Sequence, residues 1–232
     1  MVRILTFIDE PIDTEFWIKR LTEAVTLRKA IGLFGNKSTN IFRVFHGEGD
    51  HCPGLVIDNY NNTLVVQTHS IGMLRQVDII AESLKKVWGK SLVGIFTKGD
   101  QTLKQKDGSG DLKRILYGEV GETEVLENGH KFKVDILEGQ KTGFFIDQRD
   151  NRFLLEKYSK GKTVMNLFGY TGGFSVYALG GGATEVHTID VSAKAVEQAN
   201  SNIALNNYKG KHEGITGGNP WAVAKPWPRN AA

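Results

Sequence analysis

Val164-Met165-Asn166-Leu167-Phe168-Gly169-Tyr170-Thr171-Gly172-Gly173-Phe174 is the stretch on which the fold turns. Thr163 to Phe168 is short and largely apolar, as a buried strand is. Gly169 to Gly173 is a glycine-rich turn, and Phe174 to Leu179 a short helix. A second strand, Glu185 to Ile189, and an alanine-rich helix, Ala193 to Asn206, follow. Strand, turn, helix, strand, helix is how a doubly wound parallel sheet begins. The glycine turn lets backbone approach a ligand without interference from Cβ, and the helix start behind it presents free N–H groups. Asp190 ends the second strand, 24 residues after Asn166. An ionised carboxylate offers only acceptors, so it can take both hydroxyls of a ribose. Together these features read as a nucleoside-cofactor site, although a glycine turn by itself also serves to pack helix on strand.

Upstream of this unit the pattern is α+β. Met1 to Phe7 alternates like a strand, and Asp13 can cap a helix running to about Leu33, with Gly32 and Gly35 helping to end it. Ile41 to Phe45 is a short strand. Leu55 to Tyr60 and Thr63 to Thr68 flank Asn61-Asn62, and Asn tolerates the positive φ of a hairpin turn. Arg75 to Trp88 is an amphipathic helix stopped by Gly89, and Leu92 to Thr97 a strand. Residues 98 to 113 are polar and glycine-bearing, a surface loop. Asn128-Gly129 joins Glu122–Glu127 to His130–Leu137 in a two-residue hairpin, and Asp147 can cap a helix through about Tyr158. Lys209 to Ala232 holds three of the five prolines and no sustained period, so it reads as irregular.

Composition narrows the function. The chain has 232 residues, with 29 Lys+Arg against 26 Asp+Glu, a surplus too small to mark a nucleic-acid protein by charge alone. No apolar run approaches a membrane span, and no secretory signal is visible at the start, so the expected location is the cytoplasm, without a membrane. The single cysteine, Cys52, excludes an intrachain disulfide and a multi-cysteine zinc site. His46, His51 and His69 lack ligand spacing, so no metal is expected.

The dinucleotide fingerprint is G-x-G-x-x-G, and Gly169-x-x-Gly172-Gly173 does not match it. S-adenosylmethionine carries no pyrophosphate and needs no such cradle, which makes it the expected cofactor. At this point the residues reach a known family. Lys141-Thr142-Gly143-Phe144-Phe145-Ile146-Asp147-Gln148-Arg149-Asp150-Asn151-Arg152, then Asn166 to Ser175, then Ile189-Asp190-Val191-Ser192 resemble the bacterial 23S ribosomal RNA cytosine-5 methyltransferases of the PUA-linked type. Gly47-Glu48-Gly49-Asp50, Pro53-Gly54-Leu55-Val56-Ile57-Asp58 and the Asn128-Gly129 hairpin resemble that family's middle domain.

The resemblance implies a class I methyltransferase that uses S-adenosylmethionine on ribosomal RNA, with a PUA domain, an α+β middle domain and a catalytic Rossmann-like domain. It implies that residues 1–7 are the last strand of a missing PUA domain, 8–137 the α+β middle domain, 138–208 the N-terminal half of an incomplete α/β Rossmann-like domain, and 209–232 an irregular tail foreign to the family. The expected cofactor-binding residues are Phe145, Gln148, Asn166, Phe168, Gly169, Tyr170, Thr171, Gly172, Asp190 and Val191. No catalytic residue is expected. C5 of cytosine is a poor nucleophile, and the usual remedy is a thiolate adding to C6; Cys52 stands in a middle-domain turn where the family has no nucleophile. Two other readings stay open: methyl transfer to nitrogen or oxygen, which needs no thiol, and a non-catalytic RNA-binding fragment. Lys141, Arg149 and Arg152 suit either phosphate contact or a solvated helix start, and Asn202 and Asn206 suit capping or solvation.

Overall fold

The computed structural model describes residues 3–99 and 112–217. The chain forms two compact units. One is built from the residues up to Gly129 together with Val134–Ile146, the other from His130–Lys133 together with the residues from Asp147 onward. The division passes through the Asn128-Gly129 hairpin rather than behind it, because the first residues of the returning strand are bound to the second unit.

In the first unit, helix α1 (Thr14–Ala30) starts where Asp13 Oδ1 accepts the Glu15 and Phe16 N–H groups at 3.0 and 3.1 Å, a cap worth about 1 kcal/mol. It ends before Gly32, whose φ of +76° no longer continues a helix. Strands β1 (Ile41–His46), β2 (Leu55–Tyr60), β3 (Thr63–Thr68), β4 (Gly94–Lys98) and β5 (Lys113–Gly118) make a five-stranded sheet in that order. All neighbours are antiparallel except β3 and β4. A parallel pair needs a crossover, and helix α2 (Ile71–Trp88), capped by Ser70, supplies it. Asn61 and Asn62 take φ of +49° and +71° in the two-residue β2–β3 turn, as their side chains allow. Trp17, Leu21 and Val25 of α1 and Val77, Ile80 and Leu84 of α2 share one buried cluster with Leu55, Ile57, Leu64 and Val66 of the sheet.

The segment that follows the hairpin is pinned in this unit by polar groups. Buried Asp58 takes Arg43 in a two-bonded grip, Nε–Oδ1 2.8 Å and Nη2–Oδ2 3.1 Å, and its Oδ2 accepts the Thr142 hydroxyl at 2.7 Å. Thr142 Oγ1 also meets the Tyr60 hydroxyl at 2.7 Å, and that hydroxyl accepts the Phe144 N–H at 3.1 Å. Lys98 Nζ donates to the Ile136 and Gly139 carbonyls. The Lys141-to-Ile146 run is thus fixed by its backbone and by Thr142.

In the second unit, helix α3 (Arg149–Tyr158) precedes β8 (Thr163–Leu167), α4 (Gly173–Gly180), β9 (Glu185–Asp190), α5 (Ala193–Ala204) and β10 (Lys211–Thr216). Strands β6 (Glu122–Glu127) and β7 (His130–Asp135) are the hairpin, with φ of +51° and +87° at Asn128 and Gly129; of it only His130–Lys133 belongs to this unit. The three parallel strands lie in the order β10-β9-β8. This is the expected doubly wound beginning, an α/β Rossmann-like unit after an α+β one. Ala178, Leu179, Ala183 and Val186 form its small core, with Leu155, Val164, Ile203 and Tyr208 packed on it.

Four expectations are corrected. Lys209 to Thr216 is not irregular: residues 211–216 pair along the whole of β9, with Lys211 opposite Glu185 and Thr216 opposite Asp190. The strand was hidden because His212, Glu213 and Gly214 break an apolar alternation, yet His212 is carried by a buried hydroxyl and Gly214 is required by Asn200, whose Oδ1 would lie 2.6 Å from a Cβ there. Residues 218–232 fall outside the described residues. The described part of Met1 to Phe7 forms no strand, since a strand exists only against a partner. Strand β5 begins at Lys113, the last residue of the stretch read as a loop, and runs on through residues 114–118, to which no element was assigned; residues 100–111 are outside the described ones. Finally, Gln148 rather than Asp147 stands at the start of α3, after a 3-10 turn at Ile146–Gln148.

Candidate cofactor site

Strands β8 and β9 run parallel with Leu167 opposite Ile189, so Phe168 and Asp190 leave the sheet side by side at its carboxyl end. There the chain turns tightly. Phe168, Tyr170 and Gly172 have φ of +56°, +43° and +77°, values costly for side chains other than glycine and typical of strained functional turns. Two backbone bonds hold the turn: Gly169 N–H to the Ile189 carbonyl at 3.0 Å and Gly172 N–H to the Gly169 carbonyl at 2.9 Å. Gly169 has no room for a side chain, since a Cβ would stand 2.4 Å from Thr188 Cγ2. At Gly172 it would stand 2.8 Å from the Ala199 Cβ of α5. These glycines therefore bring strand, turn and helix into contact. Gly172 is also the N-cap of α4, which no side chain caps.

Asp190 closes the arrangement. Its Oδ2 accepts the Tyr170 N–H at 3.0 Å, and its Oδ1 accepts the Ser192 N–H at 3.0 Å. The Ser192 hydroxyl in turn caps α5 through the Ala195 N–H at 3.3 Å. Each carboxylate oxygen keeps a further lone pair, and Asp190 is only half-buried. Phe168, 84% exposed, and Val191, 69% exposed, flank it with uncovered apolar surface. An acceptor-only group between two bare apolar side chains, above a turn where backbone lies open, fits a nucleoside with vicinal hydroxyls. In such a complex Asp190 would hold the ribose, Phe168 and Val191 would cover the flat base, and the turn from Gly169 to Gly172 would lie along the rest of the cofactor.

Beneath the turn runs a partly buried polar chain that the sequence reading missed. Asn166 Nδ2 donates to Ser175 Oγ at 2.9 Å, the Ser175 and Thr188 hydroxyls meet at 2.6 Å, and Thr188 Oγ1 meets His212 Nε2 at 2.8 Å. It joins β8, α4, β9 and β10. The Asn166 amide nitrogen donates to Ser175; with His212 neutral and unprotonated at Nε2, Thr188 donates to the imidazole and Ser175 to Thr188. Burial, with His187 nearby, lowers the His212 pKa and favours that neutral form. Strict strand period would have placed Asn166 and Thr188 on inward faces, but His212 was unreadable while its strand was unseen.

Of the expected binding residues, Asn166, Phe168, Gly169, Tyr170, Thr171, Gly172, Asp190 and Val191 are brought together here. Gln148 opens α3, where its Oε1 accepts the Asn151 amide at 2.9 Å. Phe145 belongs to the first unit, with Lys141 Nζ 4.2 Å from its ring centroid. Arg152 is not a solvated side chain: it is buried, its guanidinium 5.9 Å from the ring centroids of both Phe174 and Tyr177. Cys52 is fully buried in the first unit, and burial pushes its thiol up to about 11. Among the described residues no helix is long and apolar enough to cross a membrane.

Comparison with known proteins agrees with this geometry. The profile of the S-adenosylmethionine-dependent methyltransferases matches residues 43–219, which takes in the whole three-stranded sheet. The chain is 41% identical, over 88% of its own length and 52% of the relative's, to ribosomal RNA large subunit methyltransferase I of Tolumonas auensis. It spans about half the length of the curated relatives it matches. A Streptococcus mutans protein assigned as a SAM-dependent methyltransferase superposes with a TM-score of 0.81 at 25% identity, covering 93% of this chain and 55% of that one. A second solved structure, of a protein assigned as a methyltransferase and bound to SAH, gives 0.79 at 24% identity, covering 92% of this chain and 55% of that one, and shares the fold. With a profile match over most of its length and a strand-end acid locked to a glycine turn, the chain belongs to the S-adenosylmethionine-dependent methyltransferase family.

Proposed function

We propose that the protein represented by this chain methylates large-subunit ribosomal RNA, at C5 of a cytosine, and that the residues described here hold and orient S-adenosylmethionine. The observation that carries the cofactor half is the Asp190 carboxylate fixed to the Tyr170 N–H at 3.0 Å at the end of β9. The RNA half is supported by the relatives, whose names specify ribosomal RNA of the large subunit. The choice of cytosine C5 rests on the resemblance of the Lys141-to-Arg152 run, as does the proposal of a PUA domain in the complete protein.

The work of the chain's own residues is binding and positioning. Cytosine C5 methylation needs a thiolate that adds to C6, raises electron density at C5, and leaves once C5 has taken the methyl group and lost its proton. Cys52, the only thiol, is buried and held protonated. These 232 residues therefore supply cofactor binding and not the nucleophile. The same burial favours, as a second reading, a nitrogen or oxygen acceptor, for which no thiol is required.

Incubation of the chain with labelled S-adenosylmethionine and unmodified large-subunit ribosomal RNA tests the role given to Cys52 and the second reading. No label should reach cytosine C5. Transfer to C5 that Cys52→Ser abolishes would overturn the assignment of Cys52 as structural, and transfer to a nitrogen or oxygen would establish the second reading.

A further inference from the structure

Helix α5 and the turn behind it carry Gln198, Asn202 and Asn206, each four residues from the next and so on one face. They meet the backbone of the first residues of β7. Asn206 Oδ1 accepts the Lys131 N–H at 2.8 Å and its Nδ2 donates to the Lys131 carbonyl at 2.9 Å. Asn202 Oδ1 accepts the Lys133 N–H at 2.8 Å, and Gln198 Nε2 donates to the Lys133 carbonyl at 3.2 Å. The amides thus satisfy the outward N–H and C=O groups of one strand edge, as a neighbouring strand would.

Asn202 does more than its two companions. It is wholly buried, and its Nδ2 turns away from β7 to donate to the Thr171 carbonyl at 2.9 Å. Thr171 lies in the Phe168-to-Gly172 turn. One helical turn earlier, Ala199 sits where a Cβ on Gly172 would be 2.8 Å away. Helix α5 therefore touches the turn twice, once by van der Waals contact and once by a hydrogen bond.

We infer that Asn202 is a positioning residue for the cofactor: it clamps the Thr171 carbonyl and so sets the backbone that Asp190 grips from the other side at Tyr170. The inference rests on the reading of this turn as the cofactor's. The side chain must offer an acceptor on one side and a donor on the other, and at neutral pH the Asn202 carboxamide does so. An aspartate keeps the acceptor for Lys133 but, ionised, sets a second acceptor against the Thr171 carbonyl; protonated, it regains a donor.

The test uses the 232-residue chain with Asn202→Asp, and Asn206→Asp as the matched change on the same face, which touches β7 but not the turn. At pH 7.5, Asn202→Asp should raise amide exchange across residues 168–173, corrected for intrinsic rates, by roughly tenfold, and weaken S-adenosylmethionine binding by a similar factor. Both should return toward wild type near pH 5 as the carboxyl takes up its proton. Asn206→Asp should leave both within about twofold. Asn202→Ala, which removes the donor to Thr171 and the acceptor for Lys133 without adding charge, should loosen the turn at every pH with no recovery. A folded Asn202→Asp chain whose turn exchanges like wild type, or an Asn206→Asp chain that loosens the turn equally, would overturn the clamp. A loosened turn with unchanged cofactor affinity would instead keep the clamp and overturn the cofactor reading of the turn.

Discussion

Asp190 and Tyr170 are joined by a bond in which the side chain of one holds the main chain of the other: Oδ2 accepts the Tyr170 N–H at 3.0 Å. Tyr170 has a φ of +43°, a conformation a tyrosine holds only when its surroundings impose it. The strand-end acid is therefore part of the turn's architecture as well as a candidate ribose acceptor. Its second oxygen fixes the Ser192 N–H that starts α5, so one carboxylate sets the turn and the helix behind it.

Gly169→Ala tests how closely strand and turn are packed. The added methyl would stand 2.4 Å from Thr188 Cγ2 and 3.2 Å from Asn166 Nδ2. Overpacking of this kind costs about 1–3 kcal/mol. Urea unfolding followed through amide exchange in β8 and β9 should show that loss, with α1 and α2 unaffected. An unchanged midpoint would mean that the turn has slack.

Stability of the second unit should fall on mild acidification because of His212. An unfolded histidine takes up a proton near pH 6.5, whereas burial keeps His212 neutral to lower pH. Between those two values the unfolded chain binds more protons, so stability is complete above about 6.5 and falls as pH drops toward the folded value. The groups facing the imidazole are the Thr188 hydroxyl, His187 and Glu213, and His187 is itself paired to Glu213 at 3.2 Å. His212→Asn keeps an acceptor for Thr188 without titrating. The wild-type β8–β10 amides should lose protection between pH 7.5 and 5 more steeply than those of the variant, and equal slopes would remove His212 from the account.

Tyr60→Phe addresses the first unit. Burial pushes the Tyr60 phenol far above its usual range, so it stays protonated and keeps both its bonds, to Thr142 and to the Phe144 N–H. Removing the hydroxyl deletes two buried hydrogen bonds, to Thr142 and from the Phe144 N–H, a loss of about 1–3 kcal/mol. Urea unfolding read from the fluorescence of buried Trp17 should register it. A change within about 0.5 kcal/mol, the range of an ordinary surface substitution, would show that the Lys141-to-Ile146 run is held by other means.

The parts of this fold that announce themselves in sequence do so through local physics. Asp13 before an apolar stripe, Asn61-Asn62 and Asn128-Gly129 between strands, and Gly169 to Gly172 after a largely apolar strand, which is partly exposed rather than buried as its composition suggests, each encode a backbone geometry in the residues that adopt it. What stayed hidden depends on contacts distant in sequence. Strand β10 has a poor strand pattern because its inward positions are filled by His212, answered by Thr188, and by Gly214, answered by Asn200. Asn202 and Asn206 look like capping or solvated amides until the β7 backbone is set against them. Arg152 reads as a phosphate contact or a solvated cation although it is buried, with two aromatic rings near its guanidinium. In each case a polar side chain is placed by its partner, and no spacing rule names that partner.

Calorimetric titration of S-adenosylmethionine into the wild-type chain and into Asp190→Ala is the most direct test of the central claim that the carboxyl ends of β8 and β9 form the cofactor site. Wild type should bind, and removal of the carboxylate should weaken affinity by about 1–3 kcal/mol, the range for a polar partner left without its acceptor once the bound cofactor covers the site. Affinity unchanged by Asp190→Ala, with the chain still folded, would place the cofactor elsewhere and contradict the account.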